Sequence, residues 1–99
     1  MLSIDKKADA SELTISLGGR LDTTTAPNLE KELKESLEAV TELVIDMTAL
    51  EYISSAGLRV LLSAQKIMNR QGSMKVIHVN ETIMEIFVVT GFSDILTIE

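Results

Sequence analysis

The chain has 99 residues, 45% of them hydrophobic, a formal net charge of −6 and no cysteine, which suits one small domain around one core, of α/β class by the order of its predicted elements. The lack of cysteine excludes disulfides, thiolate chemistry and Cys-type zinc sites; with no basic-then-apolar leader and no apolar run of bilayer length, the expectation is a soluble cytoplasmic protein. Net negative charge, no cluster of five or six lysines and arginines, one tyrosine, two phenylalanines and no tryptophan argue against direct contact with nucleic acid or an anionic membrane.

Leu2 and Ile4 alternate with Ser3 and Asp5, Asp9 to Glu12 is polar enough for a turn, and Leu13, Ile15 and Leu17 alternate with Thr14 and Ser16. That pattern predicts an N-terminal hairpin. Gly18-Gly19 is expected to let the backbone leave the sheet, and one of Thr23, Thr24 and Thr25 to cap a helix with Pro27 in its first turn. Leu29, Leu33 and Leu37 repeat every four residues while Glu30, Lys31, Lys34 and Glu35 face water, so this helix lies one-sided on a sheet.

Strand Glu42 to Asp46 contains the unbroken apolar run Leu43-Val44-Ile45, the mark of a central, parallel strand buried on both faces. A short polar connection leads to a second helix from near Ala56 to about Gln71, with Gly72 suited to a left-handed C′ position. Its broad apolar arc is Gly57, Leu58, Val60, Leu61, Leu62, Ala64, Ile67 and Met68, and its remaining face carries Arg59, Ser63, Lys66 and Arg70. Met74 to Val79 reads as a strand with His78 on it, and Asn80 as the cap of a third helix with Ile83, Ile86, Phe87 and Val88 inward. Gly91 ends that helix, Phe92 folds back on its last turn, and Ile95 to Ile98 forms a short closing strand. Strands alternating with helices imply right-handed crossovers and a mixed sheet covered by helices.

Ser54 and Ser55 thus sit at the mouth of a buried helix. A serine there is a favoured cap for the free N–H groups of the first turn. The same N–H groups and the helix dipole stabilise a phosphate, so the position suits either plain capping or reversible phosphorylation.

The order strand, Gly-Gly-Arg-Leu-Asp-Thr-Thr-Thr-Ala-Pro, amphipathic helix, Leu-Val-Ile-Asp-Met, Tyr-Ile-Ser-Ser-Ala-Gly-Leu-Arg-Val-Leu-Leu, strand, helix, Gly-Phe resembles the STAS domain of bacterial anti-sigma factor antagonists over nearly the whole chain. The resemblance implies a mixed sheet of four to five strands with three to four helices. It also implies a protein that is not an enzyme, needs no cofactor or metal, and exists as a monomer or weak dimer. Its implied partners are an anti-sigma factor with ATP-dependent serine kinase activity, bound only by the unphosphorylated form, and a PP2C-type phosphatase that restores binding. The phosphorylated serine of the family aligns with Ser55, with Ser54 the lesser candidate, and the family's loop aspartate aligns with Asp22. The partner-binding set is then Asp22, Thr23, Thr24, Ser54, Ser55, Ala56, Gly57 and Arg59. Two positions depart from the family pattern: Ser54 replaces the aspartate that usually precedes the phosphoserine, and Ala56 replaces the hydroxyl residue after it.

Other features favour plainer roles. Asp46 could mimic a receiver's phospho-acceptor, but no acidic pair or lysine accompanies it, and hydrogen bonds to nearby loop N–H groups account for it. A lone histidine without a placed serine and acid is poor evidence for a triad or metal site, and Gly18-Gly19 lacks the Gly-Lys-(Ser/Thr) ending of a phosphate loop. Met1, Met47, Met68, Met74 and Met84 read as packing or termini. The alternative to a phospho-switch is a sensor of this fold that binds a nucleotide or other small ligand.

Overall fold

The structure is a computed structural model that describes residues 1–99. In chain order it contains β1 (Leu2–Asp9), β2 (Glu12–Leu21), α1 (Ala26–Ser36), β3 (Glu42–Ile53), α2 (Ser55–Gln71), β4 (Ser73–Ile77) and α3 (Glu81–Thr90), followed by a 3₁₀ turn at Phe92–Asp94. The sheet order is β1-β2-β3-β4. β1 runs antiparallel to β2, while β2, β3 and β4 are mutually parallel, so β3 has the central position its apolar run predicts. The carboxyl ends of β2, β3 and β4 lie together, and α1, α2 and α3 each start from that end.

Leu13, Ile15 and Leu17 of β2 share one face with Leu43, Ile45 and Met47 of β3 and with Met74 and Val76 of β4. This face and the inward stripes of the helices, Leu29 and Leu33 on α1, Leu58, Leu61 and Met68 on α2, and Ile83 and Phe87 on α3, form one buried cluster. The opposite face carries Thr14, Ser16, Asp46 and Lys75 in register. Val44 on that side is buried yet stands outside the core cluster. The helices therefore cover one face rather than both.

β3 does not end at Asp46; it continues through the polar stretch to Ile53. Between the pairs Ser16↔Asp46 and Gly18↔Ala49, β3 holds one more residue than β2, and it gains another between Gly19↔Leu50 and Arg20↔Tyr52. Such bulges stretch the buried spacing from two residues to three, giving Met47, Leu50 and Ile53. Gly18 and Gly19, expected to carry the chain out of the sheet, stay inside β2. Gly19 has φ +87° and a Cβ there would stand 2.1 Å from the Met1 carbonyl oxygen, which accepts from the Arg20 amide at 3.1 Å.

Gly72 closes α2 with its N–H on the Met68 carbonyl, but its φ is 172°, not left-handed. Glycine is needed because the Thr41 carbonyl oxygen lies 1.9 Å from where a Cβ would be. Gly91, by contrast, is left-handed at φ 82° and ends α3 as its sequence position predicts. Val88 is 60% exposed, because α3 packs along its Ile83–Phe87 line and Val88 falls one residue off it. The expected closing strand reduces to a single parallel bridge, Val76↔Ile98.

Candidate functional site

β2 and β3 finish side by side, with Leu21 paired to Ile53. One residue on, the Ser54 amide donates to the Leu21 carbonyl at 2.9 Å. The turn after β2 and the start of α2 therefore adjoin, at the carboxyl ends of parallel strands where open α/β sheets present their ligand sites.

Asp22 organises the first of these segments. Its Oδ1 accepts from the Thr24 amide at 3.0 Å, the Thr24 hydroxyl at 2.7 Å and the Thr25 amide at 3.1 Å. Thr25 precedes α1 but makes no side-chain cap. Its hydroxyl is buried and already engaged, accepting from the Asp22 amide and donating to the Arg20 carbonyl, both at 2.8 Å. The threonine cap expected from the sequence is thus replaced by an aspartate-centred turn. The Thr24 hydroxyl, helped by the backbone N–H groups, holds the Asp22 carboxyl below the usual aspartate range against the opposing effect of burial, so it is ionised at neutral pH. Oδ2 meets only the Arg20 guanidinium, at 3.8 Å, which leaves it open to a further donor.

Ser54 is half-buried and is the N-cap of α2, its Oγ accepting from the Gly57 amide at a long 3.5 Å. Ser55 is the first helical residue and is exposed. Capping and exposure therefore fall on different serines. Gly57 is buried, and a Cβ there would lie 2.7 Å from Leu21 Cγ and 2.8 Å from Ile53 Cγ1; its contribution is close approach of helix to strands rather than contact surface. Thr23, Ala56 and Arg59 come together across the α1–α2 boundary, lining a hollow of about 220 Å³ with Pro27, Glu30 and Val60.

Two groupings were not legible in the sequence. The Arg20 guanidinium lies over the Tyr52 ring, 4.3 Å from its centroid, because the two residues are paired in a stretch of β3 that the sequence reads as connection. On the open face of the sheet, Asp46 Oδ1 accepts from the Thr48 hydroxyl at 2.6 Å and the Thr48 amide at 2.9 Å, with His78 Nδ1 at 3.1 Å. Asp46 therefore bonds within its own strand, to Thr48, and to the imidazole of His78 rather than to loop N–H groups, with its carboxyl held low first by the Thr48 hydroxyl. His78 is not on a strand; it follows β4 in a left-handed conformation, φ 59°.

No three His, Cys, Asp or Glu side chains are grouped as metal ligands would be, and no helix is long and apolar enough to cross a membrane. Comparison with known proteins adds a family. The family model for the STAS domain matches residues 3–99. Among curated relatives, the anti-sigma-B factor antagonist of Bacillus subtilis is 29% identical over 98% of this chain and 90% of its own length. That of Listeria monocytogenes is 31% identical over 95% of this chain and 84% of its own. Among solved structures, an anti-sigma factor antagonist from Mycobacterium paratuberculosis superposes with a TM-score of 0.89 at 21% identity, over 99% of this chain and 85% of that one. SpoIIAA of Bacillus in its phosphorylated form superposes with a TM-score of 0.77 at 16% identity, over 98% and 91%.

Proposed function

The chain belongs to the STAS domain family, and from that premise we propose that it is an anti-sigma factor antagonist governed by phosphorylation of Ser55. In this reading the unmodified protein binds an anti-sigma factor that is also an ATP-dependent serine kinase, and so frees the sigma factor held by it. The kinase phosphorylates Ser55 and is released, and a PP2C-type phosphatase resets the switch. The chain is then a substrate and a binding module, not a catalyst, and works in the cytoplasm where these partners are.

The observation that carries the reading is the division of labour between the two serines: Ser54 caps α2 and leaves the exposed Ser55 hydroxyl free for a partner. A phosphoserine carries roughly −1.5 to −2 charges at neutral pH. At the first position of α2 the free N–H groups and helix dipole accommodate it without refolding. A partner surface fitted to a neutral hydroxyl meets instead bulk, lost hydration and repulsion from its own acidic groups. One uncompensated interfacial charge commonly costs about 2–5 kcal/mol, enough to empty the complex. Ionised Asp22, with Oδ2 open beside the site, is the fixed acceptor for a donor on the partner.

Incubation with the kinase and ATP, followed by intact-mass and fragment analysis, tests this. One phosphate on Ser55 is the expected result. Label on Asp46 that hydroxylamine removes would favour receiver chemistry, and a nucleotide retained through purification would favour a ligand sensor; either replaces the proposal.

A further inference from the structure

Ser55, Arg59, Ser63, Lys66 and Arg70 are all exposed and recur at intervals of three or four residues, so they share one stripe of α2. Arg59, Lys66 and Arg70 enter none of the protein's ion pairs, which use Lys6, Arg20, Lys34, Lys75 and His78. On a chain of net charge −6, a column of three unpaired cations below the switch serine is a local inversion of sign.

Arg59 and Ser63 of this stripe line a groove, and Lys66 and Arg70 follow on the same helix face. The hollow of about 220 Å³ lined by Ala26, Pro27, Ala56 and Val60 continues into a second of about 150 Å³ lined by Leu33, Val60, Ala64 and Ile67. Val60, Ser63 and Glu30 belong to both. The one carboxylate in this groove, Glu30, is matched by Lys34 at 3.4 Å. An apolar floor with Arg59 at its edge and Lys66 and Arg70 further along the same face of α2 fits a helix that is apolar on one side and acidic on the other. It fits a nucleic acid poorly, because phosphates need a broad basic surface and gain nothing from an apolar floor.

We propose that the α1–α2 groove seats an acidic amphipathic helix of the anti-sigma factor, with Arg59, Lys66 and Arg70 receiving its carboxylates. This rests on the antagonist reading above and adds to it how the switch acts at a distance from the serine. Arg59 lies one turn below Ser55 on the same face, the spacing at which opposite charges pair along a helix. A phosphate on Ser55 takes Arg59 for itself, so the partner loses its first cation as it meets a new anion.

The test titrates the purified anti-sigma factor of the same bacterium into four forms of the full chain. These are wild type, Ser55→Asp, the triple variant R59E/K66E/R70E, and R59Q/K66Q/R70Q as the neutral counterpart. All three substituted cations are exposed, and circular dichroism melting checks that each variant is folded. Wild type is expected to bind with an affinity that falls as salt rises, the glutamate triple to lose roughly tenfold or more, and the glutamine triple to show a flatter salt dependence. Hydrogen exchange on the wild-type complex is expected to slow along the facing surfaces of α1 and α2. A folded glutamate triple that binds as wild type does, while Ser55→Asp fails to bind, overturns the groove and leaves the antagonist reading standing. A wild-type chain that does not bind the anti-sigma factor at all overturns both. Capture of a mixed-sequence DNA duplex by wild type, lost in the glutamate triple, overturns the assignment of the stripe to a protein segment.

Discussion

The amide of Ser54 donates to the carbonyl of Leu21 at 2.9 Å, so a main-chain hydrogen bond joins the Asp22 turn to the mouth of α2. What keeps the helix that close is the missing side chain at Gly57, whose would-be Cβ stands 2.7 Å and 2.8 Å from Leu21 and Ile53 carbons. Both neighbours are fully packed, at 0% and 2% exposure. Gly57→Ala is therefore expected to lower unfolding free energy by about 1–3 kcal/mol, the usual cost of overpacking a tight core, as read by urea denaturation. It should also weaken partner binding, since the first turn of α2 must shift to admit the methyl group. A variant as stable as wild type would mean that the helix start is looser than this geometry.

Asn80 ties two elements at once. Its Oδ1 accepts from the Ile83 amide at 2.9 Å and caps α3, while its Nδ2 donates to the Leu50 carbonyl at 2.9 Å. Asn80→Ala removes a cap worth typically about 1 kcal/mol and a hydrogen bond of about the same net value. The sum of about 2 kcal/mol corresponds to a fall in Tm of roughly 10 °C for a domain this size. Asn80→Asp keeps the acceptor and loses the donor, so it should fall between the two. Equal melting of Asn80→Ala and wild type would remove Asn80 from the account of how α3 is held.

The parts of the fold that the sequence makes legible are those with local signals. Leu43-Val44-Ile45 is an unbroken apolar run, and it marks the central strand correctly. Met47, Leu50 and Ile53 are equally buried, but the two bulges space them by three, a period that matches neither a regular strand nor a helix, so the second half of β3 reads as a connection. With it the pairing of Arg20 with Tyr52 is hidden. The serine pair is legible because serines before an apolar helical arc are a local signal, whereas the division between Ser54 as cap and Ser55 as exposed hydroxyl depends on where the helix starts to within one residue. The sequence offers Thr25 as one possible helix cap. Its hydroxyl is instead claimed by backbone groups at Arg20 and Asp22, which only the bend of the chain brings within reach.

Acid should unfold the protein partly through Asp46 and Asp22. Hydrogen bonds hold both carboxyls below the ordinary aspartate value, led by Thr48 for the first and Thr24 for the second. A carboxyl whose folded pKa is depressed contributes stability that is fully present above its unfolded pKa, about 4, and is lost as pH falls through the folded value. Melting temperature is thus expected to be insensitive to these groups from neutral pH to about 5 and to fall below about 4. Asp46→Asn and Asp22→Asn should each start lower at neutral pH and show a shallower acid fall. An acid limb as steep as wild type in both variants would assign the loss of stability to other groups.

The last prediction concerns the hydroxyl itself. Ser55 is exposed and is not the N-cap of α2, so replacing it should leave the fold nearly untouched, within about 0.5 kcal/mol as for other surface changes. Any effect on binding then reports on the interface. Ser55→Ala removes the phosphate acceptor and introduces no charge, so it should bind the anti-sigma factor but resist phosphorylation. Ser55→Asp places a carboxylate at the first helical position, where the dipole favours it, so it should be at least as stable as wild type and yet lose the partner. Stability and binding are thereby driven in opposite directions by one substitution, which general damage to the protein cannot do. Isothermal titration against the anti-sigma factor, set beside urea denaturation of the same samples, separates the two quantities. Equal affinity for wild type, Ser55→Ala and Ser55→Asp would refute the switch.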